Sequence, residues 1–148
     1  MARVARALVE PGQILHHFSQ TETANLTTQW LSVFGTKRQG VNSKAYLWHI
    51  FSAARYPCVA GPAAVQEYQQ QLAQEYVVLA NDGKTAFSTN LLPSKADFAD
   101  YYVFPKNLAW TMAFTHEDGQ LGPYFAKHMN FVGLNNDNLA RLKKLRHA

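Results

Sequence analysis

The stretch EYVVLANDGKTAFST, from Glu75 to Thr89, decides the fold class. Its two ends, EYVVLA and KTAFST, are short runs rich in residues that suit extended backbone. Asn81-Asp82-Gly83 between them supplies the turn chemistry that reverses a chain within a few residues. The pattern predicts an antiparallel hairpin. Toward the C terminus the same signature recurs in YYVF, from Tyr101, and in AWTMAFTH, from Ala109 to His116, separated by Pro105-Lys106-Asn107. Between the two pairs, PSKADFAD reads as a helical turn capped by Ser94. The second half of the chain is therefore expected to be mostly sheet.

Toward the N terminus the period changes. In TETANLTTQWLSVFG, Leu26, Trp30 and Phe34 recur at helical spacing, which predicts a helix from about Thr23 to Phe34 stopped by Gly35. In GPAAVQEYQQQLAQ, Pro62 suits a first helical turn, and Val65, Tyr68 and Leu72 share one face. KAYLWHIF, Lys44 to Phe51, is short and crowded with aromatic and branched residues and reads as a strand buried on both faces. Residues 1–20 receive no element. Helices early and strands late give an α+β class: a single domain over 1–148, with an antiparallel sheet of about four to five strands packed on one side by N-terminal and mid-chain helices. A parallel crossover fold would need strands and helices in alternation, which Glu75 to Phe125 lacks.

Composition fits that class. The 148 residues are 47% hydrophobic, 13% aromatic and 16% charged, enough to build one core and too apolar for a disordered chain. No apolar run approaches the length of a spanning helix, no leader pattern opens the sequence, and the single Cys58 excludes an intrachain disulfide; together these lead us to expect a cytoplasmic protein. The formal charge of +4 is concentrated at the ends, on Arg3 and Arg6 and on Arg141, Lys143, Lys144 and Arg146. Between Val9 and Asn138 eight cations face ten acids, a net of −2. Phosphate-tracking proteins need cations on the folded body, so nucleic acid is not expected as a partner except through the basic tail. That tail, 134–148, reads as a short amphipathic helix with Leu139, Leu142 and Leu145 docked on the body and Asp137 or Asn138 as its cap.

The period of two fixes what AWTMAFTH can present. If Ala109 to His116 is extended, Trp110, Met112, Phe114 and His116 share one face and Thr111, Ala113, Thr115 and Glu117 the other. His116 and Glu117 then point apart, unless the strand ends or bulges at the Asp118-Gly119 turn signal. His49, in the earlier aromatic run, shares a side with Leu47 and Phe51, while Trp48 faces the other way. Pairing of the two runs would let His49 and His116 converge, with Tyr124 or Phe125 closing the same corner. Trp48 and Trp110 themselves read as core.

These blocks resemble a family of small uncharacterised bacterial proteins, a domain of unknown function. The resemblance is carried by Trp48, His49, Phe51 and Ser52; by Trp110 and Thr111; by Thr115, His116 and Glu117; and by Gly122 to Phe125. Tyr56-Pro57-Cys58, Gly61 and Tyr102-Val103 also match, so the likeness runs from about Trp30 to Phe125. It implies no activity and assigns no role to the tail.

Each chemistry is weighed on its residues. The six histidines form no His-x-His, and Gln120 stands where a zincin helix would place its second histidine, so no metal or other cofactor is expected. A facial metal site from His49, His116 and Glu117 would need two strands to meet. Ser52 lacks a nucleophile elbow, a lone cysteine such as Cys58 is usually a small buried hydrophobe, and the eight glycines form no phosphate loop. Two functions remain. The first is an accessory binding or interaction module that takes a protein or a small molecule at an aromatic and histidine rim formed by Trp48, His49, Trp110, His116, Glu117 and Tyr124. The alternative is a small hydrolase or lyase with His116 as acid or base, oriented by His49 or Glu117.

Overall fold

The computed structural model describes residues 8–117 and 120–146. Nine strands and four helices occur among them, in the order β1 (Val9–Glu10), β2 (Ile14–His17), α1 (Gln20–Phe34), α2 (His49–Ser52), β3 (Val59–Ala60), α3 (Pro62–Gln69), β4 (Tyr76–Ala80), β5 (Ala86–Thr89), β6 (Lys95–Ala96), β7 (Tyr101–Pro105), β8 (Trp110–Phe114), β9 (Tyr124–Lys127) and α4 (Phe131–Arg146). Seven strands form one antiparallel sheet in the order β2-β5-β4-β7-β8-β9-β3, and β1 pairs with β6 apart from it. The chain is α+β, as expected, with more strands than its sequence suggests. Among the described residues no helix is long and apolar enough to cross a membrane.

The predicted hairpin is β4–β5. Gly83 takes φ +69°, its N–H reaches Ala80 O at 3.0 Å, and Asp82 Oδ1 accepts from Lys84 N at 2.8 Å. Asp and Gly are here for distinct reasons, a side-chain acceptor and a left-handed backbone.

The sheet is covered on both faces, not one. YVVLA and YYVFP are buried at every position, so alternate side chains need cover on opposite sides. Val77, Leu79, Tyr102, Phe104 and Ala113 pack with Trp30 and Phe34 of α1 and with Trp48, Ile50 and Phe51 around α2. Tyr76, Val78, Val103, Trp110 and Met112 pack instead with Ala64 and Tyr68 of α3, with Val9 and Ala96 of the small sheet, and with Phe131 and Leu134 at the start of α4.

Helix α1 begins three residues earlier than its apolar period shows, because Ser19 and Glu22 form a capping box. Ser19 Oγ accepts from Glu22 N at 3.1 Å and Glu22 Oε1 accepts from Ser19 N at 2.8 Å. Ser19→Ala is expected to lower stability by about 1 kcal/mol, seen as a shift of the urea midpoint with the slope unchanged.

Four other expectations are corrected. The run from Lys44 to Phe51 is not a strand: it bends through turns into α2, and its N–H groups find side-chain acceptors, Leu47 N on Asn81 Oδ1 (3.1 Å) and Trp48 N on Tyr102 Oη (3.0 Å). A short apolar run cannot distinguish these outcomes by period. Ser94 caps no helix; its Oγ and N–H both donate to Glu10 O, at 3.0 and 2.8 Å, and the next two residues are β6. Part of the unassigned N-terminal segment supplies β1 and β2, the latter paired with β5. The basic tail is the end of a longer helix, so Asp137 and Asn138 lie within it instead of capping it. Asn138 is buried and hydrogen-bonds Asn107 Oδ1 at 3.3 Å, whereas Leu139 and Leu145 are exposed and only Leu142 is half-buried.

Candidate functional site

The β7–β8 hairpin builds the site. Tyr101 pairs with Phe114, so the residues just outside the pair, Asp100 and Thr115-His116, are brought together at the end of the sheet. β8 stops at Phe114, and Thr115 Oγ1 donates to Leu121 O at 2.5 Å as the chain leaves the strand. Gly122, at φ +105°, passes against the Thr115 side chain, where a Cβ would lie 3.0 Å from Thr115 Cγ2. Alternation therefore ends two residues before His116. Its ring turns toward Trp48 and Tyr46, on the α1–α2 side, instead of joining Trp110, Met112 and Phe114.

Asp100 organises the corner. One carboxylate oxygen, Oδ1, accepts from Trp48 Nε1 at 3.0 Å, from His116 N at 3.0 Å and from His116 Nδ1 at 2.9 Å; Oδ2 lies 3.0 Å from the same Nδ1. An ionised carboxylate only accepts, so the proton of this pair sits on Nδ1 and Nε2 is the outward nitrogen. Glu117 Oε1 lies 3.5 Å from that Nε2. The expectation that imidazole and carboxylate face separate surroundings is thus overturned: both belong to the turn after β8, where the two-residue period no longer applies.

Aromatic rings surround the pair. Tyr46 packs its ring against Trp48 (5.3 Å between centroids), His49 (5.4 Å) and His116 (5.2 Å), so the two histidines flank one tyrosine. Trp48 meets His49 edge-on at 4.6 Å and stacks with Tyr124 at 6.3 Å. His49 Nδ1 lies 3.0 Å from Asn42 O, which makes it the donor there. Asn81 ties this loop to the sheet: its Nδ2 donates to Ala45 O at 2.8 Å, its Oδ1 accepts from Tyr102 Oη at 2.6 Å, and its N–H donates to Asp100 O at 3.0 Å.

Of the residues singled out from sequence, Trp48, His49, His116, Glu117 and Tyr124 come together. Trp110 does not. It is fully buried on the opposite face among Tyr68, Tyr76 and Phe125. Ser52 Oγ is engaged with His49 O at 3.3 Å, and Cys58 is half-buried with its thiol pushed up by desolvation. Among the described residues no three His, Cys, Asp or Glu side chains are placed to hold a metal ion. The sequence reading missed Asp100, Tyr46 and Asn81. For Asp100 the signal was present: a four-residue connection between YYVFP and WTMAF sets the register that brings it beside His116.

Asp100, hydrogen-bonded to His116 and aided by the charge of Glu117, raises the imidazole above its ordinary value against the opposing effect of desolvation. In an NMR titration the His116 midpoint is expected above about 6.5, the free-imidazole value, and Asp100→Asn should bring it down. The linked stability has a definite sign. A folded-state value raised above the unfolded one stabilises fully below about pH 6.5, and that gain disappears as pH rises through the folded midpoint. Urea unfolding should accordingly show a loss of stability across that window which Asp100→Asn abolishes.

The cluster sets aromatic rings beside an imidazole–carboxylate pair whose Nε2 can give or take a proton. No curated protein and no solved structure matches the chain. Residues 16–125, which include every member of this corner, match the family model for a domain of unknown function, DUF4275, and the chain belongs to that family.

Proposed function

We propose that the protein is a small bacterial accessory protein of the cytoplasm that binds a partner protein or a small molecule at the corner formed by Tyr46, His49, His116 and Glu117, with Trp48 and Tyr124 beneath. The observation that carries this reading is Asp100. A nearly buried carboxylate spends its acceptors on Trp48 and His116, which fixes one imidazole with Nε2 outward before any ligand arrives. Such preorganisation raises affinity by removing the cost of ordering side chains on binding. Two rigid aromatics and two histidines in one small area supply apolar contact together with directional hydrogen bonds.

A second reading is supported by the same pair. An imidazole with Nδ1 on a carboxylate and Nε2 facing outward is the arrangement of a general acid or base, so a small hydrolase or lyase using His116 is the alternative. Asp100 would then orient the ring, with Glu117 and His49 as neighbours.

One experiment addresses both. Metabolite mixtures are added to protein labelled at histidine, and the His116 ring signals and the solution composition are followed together. A ligand that shifts His116, remains unchanged and is lost in His116→Gln supports binding. A new product that disappears with the same substitution supports turnover. Shifts that map to other surfaces, with His116 unmoved, would sink the assignment of this corner.

A further inference from the structure

Away from that corner, two clefts meet at the Tyr56-Pro57-Cys58 segment, which lines both. One, of about 500 Å³, is completed by Lys37, Phe51, Ala54 and Arg55. The other, of about 420 Å³, is lined by Val59, Phe125 and Met129 together with Glu67, Lys127 and His128. Each lies within the size range of small-molecule sites.

Their characters differ. Between Glu22 and Glu67 the chain carries no acid at all, but does carry Lys37, Arg38, Lys44 and Arg55. The fold gathers two of these cations from separate segments, Lys37 after α1 and Arg55 after α2. Arg55 Nη2 lies against Gly40, 3.6 Å from where a Cβ would be, so the loop after α1 and the turn after α2 are in contact. Ala54 holds φ +57°, an uncommon conformation for a residue with a side chain, as the chain turns to place Arg55 N on Ile50 O at 2.8 Å. Among the described residues neither Lys37 nor Arg55 has a carboxylate at ion-pair distance. Glu67 is, among the described residues, the one carboxylate lining either cleft, and it is matched by Lys127 at 3.6 Å. The second cleft is mainly apolar: Phe125 is buried in its wall, Val59 is 40% exposed, and Met129, a flexible side chain that adapts to varied shapes, is 87% exposed.

We infer that the paired clefts form one site for an amphiphilic oxyanion, a dissolved single-chain molecule whose tail lies on Val59 and Met129, above the buried Phe125, and whose phosphate or carboxylate head lies between Lys37 and Arg55. Charge complementarity selects the head, since a guanidinium and an ammonium without carboxylate partners match an oxyanion. The molecule reaches both halves by crossing the exposed Pro57, which lines each cleft. Cys58 takes no chemical part; it marks the join.

Because Cys58 is the single cysteine, its alkylation by iodoacetamide reports occupancy in the intact chain. The probe is n-decyl phosphate below its micelle concentration. At ten times its dissociation constant it is expected to slow labelling about tenfold, as the free fraction falls. Lys37→Gln with Arg55→Gln, both at exposed side chains, should weaken that protection at least about tenfold, each charged hydrogen bond contributing on that order, with the circular dichroism spectrum and Tm unchanged. Absence of protection, or equal protection in the double variant, overturns the site. Equal protection by n-decanol overturns the role of the cations, and equal protection by inorganic phosphate overturns that of the tail. Binding to phosphatidylglycerol vesicles without protection by the dissolved probe overturns the dissolved occupant.

Discussion

Asp100→Ala is expected to cost about 2–4 kcal/mol and to release His116 from its fixed orientation. Three donors converge on this carboxylate, and they are not equivalent. Trp48 is 2% exposed, so its Nε1–H has no access to water once the acceptor is gone and bears the full cost of an unsatisfied buried donor, about 1–3 kcal/mol. The His116 groups are partly open to water and add less, His116 side-chain exposure being 38%. Asp100→Asn separates structure from charge. Its oxygen still accepts from Trp48, so most stability should return, while its NH2 opposes Nδ1–H and favours the other tautomer. Urea unfolding and histidine NMR on the two variants read these effects independently. If Asp100→Ala unfolds within about 0.5 kcal/mol of wild type, a change typical of an inconsequential surface substitution, Asp100 does not hold the corner together.

Trp30→Ala is expected to be the larger perturbation of the core, about 3–5 kcal/mol. The side chain is fully buried, its ring lies 5.2–5.7 Å from those of Phe34, Phe51 and Tyr102, and its Nε1–H donates to Thr111 Oγ1 at 2.9 Å. Truncation removes the aromatic mass that joins α1 to the middle of the sheet and leaves a cavity that neighbouring rings cannot fill. A cycle isolates the hydrogen bond. Thr111→Val alone orphans the indole donor and should cost about 1–3 kcal/mol, whereas adding Trp30→Phe removes both polar partners. The double variant is expected to be more stable than the sum of the single effects allows, a coupling that denaturation in urea measures directly. Additive single effects would show that the bond contributes no net specificity.

The regular elements were legible because their signals are local. Pro62 at a first helical turn, Gly35 after an apolar stripe and Asp82-Gly83 between two extended runs each act within a few residues, and each stands where expected. The two-residue strands were not legible, since β1, β3 and β6 exist through pairing with partners distant in the chain and carry no pattern of their own. The segment from Lys44 to Phe51 failed for a related reason: side chains of Asn81 and Tyr102 take the N–H groups of Leu47 and Trp48, the residues after them bond within their own turn, and no run of apolar residues announces that. At the candidate site, sequence singled out His49, His116, Trp48 and Tyr124, which the structure brings together. It separated His116 from Glu117 by extending a strand past its end, and it missed Asp100 because an acid before a strand is ordinary until the facing hairpin arm is placed beside it.

The topology also constrains the order in which the protein can be made. Every sheet partner of the N-terminal third is encoded far downstream: β2 waits for β5, and the rings that enclose Trp30 include Tyr102. At the other edge β3 waits for β9. While a ribosome is still translating the middle of the message, α1 has emerged with Trp30 and Phe34 but without the sheet residues, Tyr102 and Thr111 among them, that complete their burial. The nascent chain therefore displays aromatic surface for most of its synthesis, and closure of the sheet falls after β9 clears the exit tunnel, making this a late, nonlocal folding event sensitive to chaperone supply.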